Sequence, residues 1–164
     1  MSGVEIRDAV RVDLDGLDAL EARACASDRM SRRGLRRLIG RRTARLRVAA
    51  EQDAGRGVSI LGYHLVLFRK GSAVARLYSI AVDRRKRGTG LGRRLLADAE
   101  AVAASANRRV IRLEVHTRNR AAIALYESRG YSRIGRYTRY YADEGEALRY
   151  EKPLGRRGAG SRRK

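Results

Sequence analysis

Gly88, Gly90 and Gly92 alternate directly after four consecutive basic residues, Arg84 to Arg87. Glycine lets a backbone approach a ligand closely and adopt positive φ. Upstream, Tyr78-Ser79-Ile80-Ala81-Val82 is apolar and partly β-branched, as a buried strand needs. Downstream, Leu91, Leu95, Leu96 and Ala99 keep helical spacing. A helix that opens on such a turn offers unpaired N–H groups and the positive end of its dipole. With arginines beside it, this is a place for phosphate. The turn lacks the lysine-serine/threonine ending of a P-loop. Cys25 and His64 are the other reactive types that stand out. Cys25 near the end of a helical stripe reads as a small apolar filler, and His64 inside an apolar run as a packed or hydrogen-bonded histidine. Neither has a second ligand-type residue at metal spacing, so no metal site is expected.

The elements that must position the turn read in order along the chain. Residues 4–10 alternate as a first strand. Asp13 is placed to cap a helix with Leu14, Leu17, Leu20 and Ala24 as its stripe. Ser31 caps a second helix, with Leu35, Leu38 and Ile39 inside and Arg32, Arg33, Arg36 and Arg37 outside. Strands follow at 46–51, 58–68 and 73–82, the first two separated by the turn cluster 53–57. Residues 93–106 form an alanine- and leucine-rich helix that Asn107 ends. A fifth strand at 110–115, a short helix opened by Thr117 or Asn119 and ended near Gly130, and strands at 131–139 and 147–152 complete the domain. Residues 1–154 form one domain, and 155–164 a basic flexible tail.

Three blocks carry a resemblance to a known family. Arg87-Gly88-Thr89-Gly90-Leu91-Gly92 fits Arg/Gln-x-x-Gly-x-Gly/Ala, the acetyl-CoA signature of the GNAT N-acetyltransferases; Arg85-x-x-Gly88-x-Gly90 fits it two residues earlier, but the helical pattern begins right after the later match, which favours it. Leu113-Glu114-Val115 ends the second apolar strand, and residues 119–131 look like the family's closing asparagine-helix-tyrosine-glycine block. In this order the blocks most resemble the ribosomal-protein-alanine N-acetyltransferases. The likeness spans residues 77–151 and is specific over 80–92 and 113–131. It implies an α/β (α+β) fold, with a mixed, mostly antiparallel central sheet flanked by helices and with the fourth and fifth strands splayed apart.

The resemblance also implies a site. The pantetheine arm of acetyl-CoA would lie between the splayed strands, bonded to backbone around Ile80, Ala81 and Val82. The pyrophosphate would rest on N–H groups of Arg87, Gly88, Thr89, Gly90, Leu91, Gly92 and Arg93. Asn119 resembles the asparagine that contacts the cofactor arm. Glu114 matches the general base, and Tyr126 the general acid that protonates the departing sulfur. An N–H near Val82 would polarise the thioester carbonyl. The acceptor implied is a protein N-terminal α-amine. Other readings are a small amine or a lysine side chain, or a non-catalytic acetyl-CoA- or RNA-binding module. For individual residues the plainer roles stand beside these. Glu114 would be a structural carboxylate paired with an arginine such as Arg112 or Arg118, and Tyr126 a core aromatic. His116, on the strand face of Glu114, would assist the proton path or else be an exposed histidine. Tyr137, Tyr140 and Tyr141 crowd the loop that borders the acceptor in the family, or simply pack a turn.

Composition bounds the rest. The 164 residues carry a net charge of +20, almost entirely from arginine, with four lysines in all. Such a field favours acidic, phosphate, ribosomal or RNA partners with salt-sensitive affinity. One cysteine permits no internal disulfide, no apolar run is long enough to span a membrane, and no export signal opens the chain. A cytoplasmic location is the expectation. Two departures from the ribosomal-protein enzymes bear on the acceptor: Arg84 stands where proline is common, and residues before Arg69 are unlike theirs.

Overall fold

The computed structural model describes residues 3–24 and 28–155. Cys25 and all but the first residue of the expected tail lie outside them. Strand β1 (Glu5–Asp8) leads through a 3-10 turn into helix α1 (Leu14–Ala24). Asp13 does not cap α1. Its carboxylate reaches back to the Val10 amide at 2.8 Å and to the Arg7 guanidinium at 2.7 Å, and is itself buried. Ser31 does cap helix α2 (Arg32–Leu38), its Oγ accepting from the Gly34 amide at 3.0 Å. Strands β2 (Ala44–Asp53), β3 (Gly57–Phe68) and β4 (Val74–Val82) then form an antiparallel run. Helix α3 (Leu91–Ser105), strand β5 (Val110–His116), helix α4 (Arg120–Ser128), and strands β6 (Ser132–Tyr137) and β7 (Ala147–Pro153) complete the domain. Strand β6 stops two residues short of the expected end, where Arg139 takes a left-handed φ of 51° that extended backbone cannot hold. Among the described residues no helix is long and apolar enough to cross a membrane.

The strand order is β1-β2-β3-β4-β5-β7-β6. All pairings are antiparallel except β4 with β5. On one sheet face Leu17, Leu20 and Leu35 of α1 and α2 pack over Leu46, Val48, Tyr63 and Leu65. On the other, Leu96, Ala99 and Ala103 of α3 pack with Tyr126 of α4 over Ala75, Leu77, Ile111, Leu113 and Tyr150. Burying each such leucine stabilises the fold by about 2 kcal/mol. The α1–α2 cluster includes no residue of β5, β6 or β7, so beyond β4 that face stays open.

Two features open the sheet at its centre. The parallel β4–β5 ladder covers only Val74–Leu77 against Val110–Leu113, and the strands part beyond it. Just there β4 carries a bulge. Leu65 faces Ser79 while Val66 faces Leu77, which leaves Tyr78 as the extra residue. A bulge bends its strand and sharpens the local twist, so the upper half of β4 turns from β5 while staying paired with β3.

Candidate active site

The gap left by the bulge exposes a free strand edge. The Asp83 amide bonds Leu61 of β3 at 2.8 Å, and the Ala81 carbonyl points to Gly62 on the same strand. By two-residue alternation the backbone groups of Ile80 and Val82 face the other way, into the gap. Ala81 itself therefore presents no backbone group to it.

At the end of β4, Asp83 fixes the entry to the basic turn. Its carboxylate accepts from the Arg85 amide at 3.0 Å, from the Arg85 guanidinium at 3.0 and 3.1 Å, and from Arg23 at 3.1 Å. The Arg85 hydrogen bonds outweigh burial and hold this carboxyl far below the usual carboxylate range. Gly88 (φ 76°) and Gly90 (φ 86°) then take the left-handed conformation, where L side chains are strained. Gly90 precedes α3 directly, so the helix opens at Leu91, two residues earlier than its alanine-rich stretch suggests. The amides of Gly88, Gly90, Leu91, Gly92 and Arg93 have no acceptor among the described residues, whereas Thr89 donates to Lys86 at 3.4 Å. Arg84, Arg87 and Arg93 are exposed and have no carboxylate partner there, unlike Arg85. This favours Arg87 over Arg85 as the free arginine of the turn. The arrangement suits a diphosphate: several N–H donors without acceptors at a helix start, with exposed guanidinium groups beside them.

Where β4 and β5 separate, a cleft of about 460 Å³ opens. Its lining includes Ser79 and Ile80 of β4, Glu114 and His116 of β5, and Asn119 and Tyr126 around α4. The structure thus brings Ile80, Glu114, Asn119 and Tyr126 together, while the turn from Arg87 to Arg93 lies at the far end of β4. Glu114 is largely buried and accepts from Arg76 Nε at 3.2 Å. An arginine does pair with Glu114 as the plainer reading expects, but it is Arg76; Arg112 instead binds Glu151 at 2.8 Å, and Arg118 has no carboxylate partner among the described residues. Tyr126 is 4% exposed, and its hydroxyl has no hydrogen-bond partner among the described residues. Burial, with a smaller contribution from Tyr141, holds its phenol well above the ordinary value and therefore protonated. Asn119 caps α4 by accepting from the Ala122 amide at 3.2 Å.

The resemblance sets the β6–β7 loop beside the acceptor, and Tyr140 and Tyr141 do line this cleft; what sequence reasoning missed is how the loop is fastened there. His116 is not the exposed histidine expected. It stacks on Tyr141 with ring centroids 5.0 Å apart, and its Nε2 lies 3.3 Å from Asp143. The Tyr140 hydroxyl accepts from Arg76 at 2.5 Å, so one arginine ties β4, Glu114 and the loop together. The paired tyrosines were the available signal, but their partner lies far away in sequence. His64 is fully buried, with Nε2 2.7 Å from Asp98 on α3, in keeping with its expected structural role.

This fold, with its parted strands and amide-rich turn, has a match among family models. Residues 15–131 match the Acetyltransferase (GNAT) family, and the chain belongs to it. Among curated relatives, an N-alpha-acetyltransferase RimI of Mycobacterium tuberculosis is 44% identical over 69 residues, covering 42% of each chain. The human N-alpha-acetyltransferase 30 is 32% identical over 104 residues, 63% of this chain and 28% of that protein. The chain therefore aligns with less than half the length of each. Among solved structures, the ribosomal-protein-S18-alanine N-acetyltransferase of Escherichia coli superposes with TM-score 0.79 at 25% identity, covering 96% of this chain and 98% of that one.

Proposed function

We propose that the chain transfers an acetyl group from acetyl-CoA to the α-amine at a protein N-terminus. The observation that carries this is a continuous path. Free amides at Gly88–Arg93 lead along the open edge at Val82 and Ile80 to a cleft where Glu114 and Tyr126 meet. The donor, when bound, supplies an acetyl thioester, whose carbonyl carbon is the electrophile. Arg87, Arg93 and the amides from Gly88 to Arg93 are suited to its diphosphate, with the Thr89 amide the one already engaged. The edge groups of Ile80 and Val82 are suited to its amide-bearing arm.

Glu114 is placed to take the proton that the attacking amine must lose. An α-amine, with a reference pKa near 8, is already partly neutral at pH 7, so it asks less of this base than a lysine near 10.4 would. As the new C–N bond forms and the C–S bond breaks, the electron pair leaves on sulfur. The Tyr126 hydroxyl, protonated and without another partner, is suited to donate to that sulfur. Because its phenol is a weak acid, this works chiefly as hydrogen-bond stabilisation of the developing negative charge. Asn119 orders the α4 start that presents Tyr126, and the two reactants are held together by the cleft, a contribution that can exceed that of acid–base groups.

The test is coenzyme A release with mass spectrometry of products, across peptides with free N-termini, peptides with only an internal lysine, and polyamines. Product confined to free N-termini is the expected outcome. Turnover of lysine or polyamines alone would move the acceptor to another amine class. Binding of acetyl-CoA without any product would leave a binding module, with RNA the next ligand tried.

A further inference from the structure

A second groove of about 460 Å³ runs over the open sheet face beyond β4, and it meets the cleft at the Arg76–Glu114 pair. Its polar lining is strongly basic, with Arg69, Arg112 and Arg149 joining Arg76 against the single carboxylate of Glu114. Arg112 is balanced by Glu151, but Arg69 and Arg149 have no carboxylate partner among the described residues. Arg149 stands directly across the β5–β7 ladder from Glu114. Its guanidinium carbon sits 4.6 Å from the Tyr137 ring centre, and its Nε is buried without an acceptor. Tyr137 in turn stacks on Tyr140, whose hydroxyl accepts from Arg76. Arginine and tyrosine thus form one continuous wall from groove to cleft. Arg69 and Arg149 line the groove with no carboxylate to neutralise them, so an incoming carboxylate gains charge-assisted hydrogen bonds there.

We infer that this groove receives an acidic side chain of the acceptor polypeptide, two or three residues downstream of the α-amine that is acetylated. The inference rests on the N-terminal acetyltransferase reading. The spacing follows from strand geometry. Residues facing each other across an antiparallel ladder have Cα atoms about 5 Å apart, and Arg112 lies two residues, about 7 Å, along β5 from Glu114. An extended acceptor advances about 3.4 Å per residue, so an amine at Glu114 sets its second or third side chain over Arg149 and Arg112. Arg69, on the exposed turn after β3, extends the positive field further along the groove.

The test uses the full chain and peptides that begin Ala-Glu-Glu, Ala-Gln-Gln or Ala-Lys-Lys and are otherwise identical. Turnover is read as kcat/KM, and binding as fluorescence anisotropy of labelled peptide in the presence of coenzyme A. The Glu-Glu peptide is expected to lead the Gln-Gln peptide by about tenfold in both readouts at low salt, the worth of one charge-assisted bond. The lead shrinks as salt rises, and Lys-Lys comes last. R69S and R149Q each narrow the ratio between acidic and neutral peptides. R69S, at an exposed turn position, carries the test should R149Q fail to fold. Equal turnover of the three peptides would overturn the inference and leave the acetyltransferase reading intact. Arginine-dependent binding of the acidic peptide without acetylation would support the groove and contradict that reading. Neither binding nor turnover would overturn both.

Discussion

Glu114 and Tyr126 are proposed to divide the proton traffic of the cleft, and their surroundings set what each substitution should do. Glu114→Gln keeps the shape and the bond from Arg76 while removing the base. Because an α-amine is partly neutral unaided, kcat should fall by only about tenfold to a hundredfold, at or below the low end for general bases. The deficit should narrow between pH 7 and 9 as the amine loses its own proton; a loss that stays constant with pH would assign Glu114 a structural role. Tyr126→Phe removes only the hydroxyl, so kcat should fall while the KM for acetyl-CoA stays nearly constant; unchanged turnover would remove its acid role. That both residues lie beside one cleft was legible, since each sits in a local block that resembles the family. Their partners were not. Arg76 reaches Glu114 from 38 positions away, and Asp98 reaches His64 from 34. Side-chain pairing across strands depends on register, which composition and periodicity leave open.

The strands and helices around the site were read more completely than the way they separate. Apolar runs and caps located each element, and Ser31 and Asn119 cap as expected. The bulge at Tyr78, which opens the gap, leaves no mark in the sequence because an extra residue in a ladder is defined only by its partner strand. Close packing of α3 on β3 has a visible cost in residue choice. A Cβ at Gly62 would lie 2.8 Å from Leu95 Cδ1 and 2.9 Å from the Ala81 carbonyl. Gly62→Ala should therefore destabilise by about 1–3 kcal/mol, as overpacking does. This site supports the amide-bearing end of α3, so acetyl-CoA affinity should drop as well; calorimetry and a thermal melt check the two effects separately. At Gly90 an added Cβ would touch nothing, but φ of 86° strains any L residue. Gly90→Ala should cost about 1–2 kcal/mol, or roughly 2–8 °C in Tm for a domain of this size. A melt unchanged from the parent chain would refute the left-handed turn.

Across the whole molecule the +20 charge is the largest feature that no single contact explains. Part of it is spent on internal order. Arg7 holds Asp13, Arg85 and Arg23 hold Asp83, and Arg47 with His64 holds Asp98. Burial raises the Asp13 and Asp98 carboxyls, but their hydrogen bonds outweigh it, and all three titrate below the usual carboxylate value. Groups depressed in the folded state stabilise it above their unfolded value, and that stability is lost as pH falls through the folded values. The melting temperature should therefore hold from these groups down to about pH 4 and fall below it. Loss that begins near pH 6 would contradict this assignment. Other arginines lie at the Gly88–Gly92 turn proposed for the diphosphate and along the groove beside Glu114, and both acceptor preference and acetyl-CoA binding should weaken with salt. The most direct measurement is fragmentation mass spectrometry of one peptide bearing both a free N-terminus and an internal lysine, after turnover with acetyl-CoA. The account predicts the acetyl group on the α-amine alone. Acetyl found on the lysine, with the α-amine free, would contradict it.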